Sequence, residues 1–287
     1  MNLHENNDFG RKVFFIMPSF DFRSLVIPAL YEQEFEVYIF DSYTKAKDIL
    51  RNYPDSICFI NTDEGMTPGE WYFYVKSFEE DPMLATIFLG IICTRMTKAQ
   101  KEQFVMDTTI PAGILEARLS HEELIENIIK ILEINGAKGR RRYVRAKCSD
   151  DFASFATFLI NGSDVQVNIN DISSAGISCT TQAVYADFFK TNMLIRNFSI
   201  TLRNKKVTCI GVVLMTNVQG DKLNFVIVFT PNIAFTTRSF IREYVHHELQ
   251  NQIDVKILEV KTDTTDYAQI AQDAASKERL PELEKTS

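Results

Sequence analysis

Two short stretches hold the residue types best able to grip a small charged molecule. Gly136–Lys147 reads GAKGRRRYVRAK, with six basic residues and no acid. Inside it, Arg141 and Arg145 stand in an R-x-x-x-R spacing that Arg140 immediately precedes. About 30 residues further on, Asp171-Ile172-Ser173-Ser174-Ala175-Gly176 forms a D-x-S-x-x-G. A guanidinium makes paired hydrogen bonds to phosphate and stacks on flat rings, which a lysine ammonium does not. A carboxylate accepts hydrogen bonds, a serine hydroxyl donates or accepts, and glycine admits close backbone approach. The formal net charge of the whole chain is −7. That argues against general binding to a nucleic-acid polymer, which needs a broad basic face. A local basic cluster in an acidic chain points instead to a compact anionic ligand. Each stretch also has a plainer reading: a solvated basic linker for the first, and an Asx or Ser turn between strands for the second.

Other chemistries find little support. The five cysteines (Cys58, Cys93, Cys148, Cys179, Cys209) lie in no C-x-x-C spacing and mostly inside apolar runs, so reduced core thiols are expected. The four histidines offer no metal spacing with any cysteine, and neither a metal nor a cofactor is expected. No nucleophile–base pair or phosphate-cradling glycine loop stands out, so no catalytic residue is assigned and an enzyme is not expected; Gly65, just after Asp63, reads as a turn glycine. The longest apolar runs fall far short of the ~20 residues of a membrane helix. No signal-peptide pattern opens the chain. A cytoplasmic protein without membrane insertion is expected.

The elements that would position these residues fall into two groups. At 287 residues, two domains are expected. Val13–Met17, Glu36–Phe40, Ser56–Asn61, Ala85–Ile92 and Ala112–Glu116 read as buried strands, alternating with amphipathic helices. That alternation predicts an α/β doubly wound parallel sheet in residues 1–135. Its last helix, Ser120–Ile134, has a capping box and ends at Asn135-Gly136. Residues 136–147 read as a basic interdomain linker. From there short alternating strands with tight-turn signals predict an all-β antiparallel barrel over 148–252, closed by a C-terminal helix from about Thr236 to Leu249. The polar stretch 261–287 reads as a disordered tail.

The R-x-x-x-R followed by D-x-S-x-x-G, at the entrance of a small all-β domain, closely resembles the signature of the PilZ family over roughly 139–250. The resemblance implies a non-enzymatic receptor for cyclic di-GMP. Arg140, Arg141 and Arg145 would meet phosphates and guanines, Asp171 the guanine N1–H and N2–H₂ edge, Ser173 a polar ligand atom, and Gly176 the approaching base. It also implies that the arginine segment is flexible and orders on binding, that Arg140 favours two intercalated ligand molecules over one, and that a protein partner is addressed, with motility or surface behaviour as a family-level expectation. The first domain resembles a response-regulator receiver, with Asp63 in the acceptor position and Thr94 near the end of strand four. The acidic pair is reduced to Asp21, and Ile114–Arg118 contains no lysine. A degenerate receiver used for docking or dimerisation is therefore expected, and a homodimer stays open. Two alternatives remain: an adaptor whose barrel binds nothing, and a regulator controlled by phosphate on Asp63 with a PilZ output domain.

Overall fold

Five apolar runs form the parallel strands β1 (Val13–Ile16), β2 (Val37–Phe40), β3 (Ile57–Asn61), β4 (Phe88–Cys93) and β5 (Gly113–Glu116). The computed structural model describes residues 10–148 and 153–284. The sheet order is β2-β1-β3-β4-β5, the order of a doubly wound sheet with its crevice between β1 and β3. Both faces are covered, so the strands are apolar throughout rather than alternating. On one face Phe15 and Phe59 join Leu30 of α1 (Ile27–Glu32) and Leu124, Ile128 and Leu132 of α5 (His121–Ile134). On the other, Phe14 stacks with Tyr38 and Phe40. Between α1 and α5 run α2 (Ala46–Leu50), α3 (Pro68–Lys76) and α4 (Lys98–Asp107). Three helix starts are written locally: Thr67 with Glu70, Thr97 with Gln100 and Ser120 with Glu123 form reciprocal capping boxes at α3, α4 and α5. The aromatic run of α3 is core, with Trp71 and Tyr74 fully buried.

The second group of strands is β6 (Arg145–Lys147), β7 (Phe155–Ile160), β8 (Ser163–Ser173), β9 (Gly176–Gln182), β10 (Leu194–Leu202), β11 (Lys205–Gln219) and β12 (Lys222–Phe229). Their order β6-β8-β7-β10-β11-β12-β9, with β8 also paired to β9, closes six strands into an antiparallel barrel and leaves β6 added outside β8. Tight turns with positive φ at Asn161-Gly162 and Arg203-Asn204 join β7 to β8 and β10 to β11. Inward residues alternate along β12 (Leu223, Phe225, Ile227, Phe229 buried). The barrel centre is aromatic: Phe189 stacks on Phe225 at 4.0 Å, and Phe158 on Phe198 at 5.1 Å. The helix α6 (Phe235–Glu259) follows. It buries Ile241, Tyr244, Val245 and Leu249, and the Tyr244 hydroxyl lies 2.9 Å from Ser154 Oγ. All five cysteine side chains are buried. Among the described residues, no helix is long and apolar enough to cross a membrane.

Close packing divides the chain into Met1–Arg141 with Gln252–Ser287, and Arg142–Asn251. Two expectations change. The stretch from Lys261 is not a structureless tail: α7 (Tyr267–Glu284) forms there, and residues 285–287 lie outside the described ones. Polar composition hid an anchor. Tyr267 is 5% exposed, sits edge-on to Tyr74 at 5.5 Å, and takes a hydrogen bond from the buried Lys47. The basic linker is also partly structured: Ala137 is buried, Arg11 N–H donates to Gly136 O at 2.9 Å, and Arg145–Lys147 is the strand β6.

Candidate ligand-binding site on the barrel

Pairing of β6 with β8 brings the two sequence motifs together. Arg145 stands opposite Ser173, Ala146 opposite Ile172, and Lys147 opposite Asp171. Ala146 points inward and is 1% exposed, so its neighbours Arg145 and Lys147 point outward and are exposed. The Arg145 guanidinium lies 3.5 Å from Asp171 Oδ1, with the two side chains 50% and 33% exposed. At that distance the pair sits at the edge of hydrogen-bonding geometry, and both groups keep unused capacity.

Ser173 and Gly176 serve the turn between β8 and β9. The Ser173 side chain is 4% exposed; its hydroxyl donates to Gly176 O at 3.3 Å and accepts from Ala175 N–H at 3.3 Å. The φ of Gly176 is not among the positive ones. Space is the constraint: a Cβ there would lie 2.2 Å from Ile227 O and 3.1 Å from Val228 Cα. The glycine is required where β9 meets β12 to close the barrel. Arg140 and Arg141, both exposed, end the N-terminal segment of the first unit and precede the barrel in the chain.

Beyond the motif residues, the register brings in Lys147 and Asn170. Lys147 was signalled only by its alternation with Arg145 once that segment is a strand. Asn170 occupies a bulge, since Ile169 pairs with Cys179 and Asp171 with Ser178. Its amide lies 2.8 Å from Thr180 Oγ1.

In the first unit, Asp63 follows β3 at the crevice, as its place in the sequence suggested. Both of its carboxylate oxygens are engaged. Thr94 N–H donates to each at 2.9 Å, Thr94 Oγ1 to Oδ2 at 2.7 Å, and Arg95 N–H to Oδ1 at 3.2 Å. Arg118, in the segment where a lysine was missed, donates from Nε to Thr94 O at 2.8 Å. Asp63 thus ties the end of β3 to the end of β4.

No protein-family model matches the chain, and no curated protein does. Solved structures do. One is a K. pneumonia MrkH–c-di-GMP complex, at 20% identity and TM-score 0.36, covering 42% of this chain and 56% of that one. A second is the PilZ domain with c-di-GMP of YcgR from Escherichia coli, at 14% identity and TM-score 0.35, covering 42% of this chain and 99% of that one. A third is the Bacillus subtilis inhibitor of motility MotI, at 16% identity and TM-score 0.33, covering 41% and 53%. The chain thus spans about half the length of the MrkH and MotI structures. Solved structures of a PilZ domain and of a c-di-GMP complex are therefore among those that this chain is similar to, all at low identity.

Proposed function

We propose that the barrel is a receptor for cyclic di-GMP, acting by binding and not by catalysis. The observation that carries this reading is the β6–β8 register, which sets Arg145 beside Asp171 and Ser173 although they are 26 and 28 residues apart in sequence. One surface then offers a guanidinium for phosphate or for the guanine O6/N7 edge, and a carboxylate for the guanine N1–H and N2–H₂ edge. Adenine presents no such donor pair. Arg141 and Arg140, exposed and just upstream, supply further positive charge against the ligand phosphates. Lys147, registered on Asp171, joins the same outer face.

Binding through Arg141 and Arg145 together orders the segment that connects the two units and alters the surface offered to a protein partner, in a process such as motility. Ligand-dependent thermal stabilisation of the full chain tests this reading. Cyclic di-GMP at a hundred times its dissociation constant would add roughly 2.7 kcal/mol to the stability of the binding unit. A rise in the melt with cyclic di-GMP and none with cyclic di-AMP is the expected result. Equal shifts with both would remove the role given to Asp171, and no shift with either would leave the barrel as an adaptor.

A further inference from the structure

We infer that Asn170, Thr180 and Asn224 form a positioning bridge that aims Asp171 and holds β6 in place. The inference rests on the ligand reading above only for its binding readout. Asn170 is the extra residue of the β8 bulge: β9 places Cys179 against Ile169 and Ser178 against Asp171, leaving Asn170 without a ladder partner on β9. A bulge redirects the side chain beside it and is a local irregularity that something must hold.

Here a hydrogen-bond chain crosses three strands. Asn170 Nδ2 donates to Thr180 Oγ1 at 2.8 Å, and Thr180 Oγ1 donates to Asn224 Oδ1 at 2.6 Å. Thr180 and Asn224 face each other across the β9–β12 ladder, so the far end of the chain rests on regular sheet. Bonds in such a chain polarise one another. Thr180 Oγ1 also lies 3.2 Å from Asn170 Oδ1, and the shorter distance to Asn224 favours the proton lying there.

The same residue holds β6 through its backbone. Cys148 N–H donates to Asn170 O at 2.8 Å, immediately after the Lys147–Asp171 pair. Asn170 therefore links the two halves of the candidate site. Its side chain fixes the bulge from which Asp171 projects, and its carbonyl anchors the end of the strand that carries Arg145. Neither Thr180 nor Asn224 belongs to the two motifs.

Thr180→Val removes the hydroxyl at nearly constant shape, and Thr180→Ser keeps it. Cyclic di-GMP affinity of the full chain should fall about tenfold in Thr180→Val, as expected for one net hydrogen bond. It should stay near wild type in Thr180→Ser, and discrimination against cyclic di-AMP should narrow in Thr180→Val alone. Affinity and discrimination both unchanged in Thr180→Val would overturn the bridge. If the wild-type chain does not bind cyclic di-GMP, the receptor reading fails separately. Hydrogen exchange at the Cys148 and Asp171 amides then decides: faster exchange in Thr180→Val than in Thr180→Ser supports the bridge, and equal exchange rejects it.

Discussion

Arg145 stands directly across the β6–β8 ladder from Ser173, and its guanidinium reaches diagonally to within 3.5 Å of Asp171. That juxtaposition follows from three residues of strand pairing. The exposed Arg145–Asp171 pair contributes little to folding, since half-exposed ion pairs are screened by water. Its members are therefore free to exchange each other for a ligand.

Replacing Arg141 or Arg145 with Ala should abolish cyclic di-GMP binding at micromolar ligand while leaving the melt of the ligand-free chain nearly unchanged. Asp171→Ala should keep residual binding but lose discrimination between guanine and adenine ligands, a contact worth about 1–3 kcal/mol. A drop of several degrees in the ligand-free melt of either arginine variant would make that arginine structural.

Gly176→Ala should destabilise the barrel strongly. The added methyl would lie 2.2 Å from the Ile227 carbonyl oxygen, a backbone atom that cannot turn aside. Overpacking of this kind costs about 1–3 kcal/mol or more. A melt within a degree of wild type would show that β9 and β12 part easily. Ser173→Ala should cost less, about 1 kcal/mol, through the loss of its turn hydrogen bonds.

The second domain's strands and turns were legible because Asn161-Gly162 and Arg203-Asn204 state tight turns outright, and because its inward residues alternate. The helix α5 was equally plain, from its Ser120–Glu123 box to Gly136 with φ of +71°. The strand β6 was not legible. At three residues it has no period of its own, and it exists because β8 offers it an edge. The bulge at Asn170 was hidden for a similar reason, since an extra residue shows only against the partner strand. The crowding of Gly176 by β12, some 50 residues later, leaves no local trace in the sequence. In α7, the buried Tyr267 outweighs a polar composition.

Acidification should weaken the barrel through His246. This side chain is 2% exposed, and burial, together with the neighbouring Arg242, pushes its pKa from 6.5 down to about 3. Above pH 6.5 both folded and unfolded chains hold it neutral, so it adds no pH dependence. Below that value the unfolded chain takes up a proton that the folded chain refuses. Stability is then lost by up to about 1.4 kcal/mol per pH unit until the pH nears the folded value. Urea unfolding of wild type and His246→Leu at pH 7, 6, 5 and 4 checks this. The gap between the two should change in favour of the variant as pH falls; parallel curves would exclude His246 as the cause.

Asp63 should not accept phosphate from acetyl phosphate and Mg²⁺. Its oxygens are held by Thr94 and Arg95, and the acid pair and lysine that would stabilise the transferring group are missing. An Asp63-dependent phosphoprotein signal by mass spectrometry would restore phosphotransfer as a control route.

Calorimetric titration of cyclic di-GMP into the full chain, beside Arg140→Leu and Arg145→Ala, tests the central claim most directly. Saturable heat should appear in the wild type and vanish in Arg145→Ala. A ratio near two ligands per chain that falls to one in Arg140→Leu is expected if Arg140 adds a stacking face for a second, intercalated molecule. A ratio of one in both would confine the error to Arg140. No heat in the wild type at concentrations well above micromolar would contradict the receptor assignment itself.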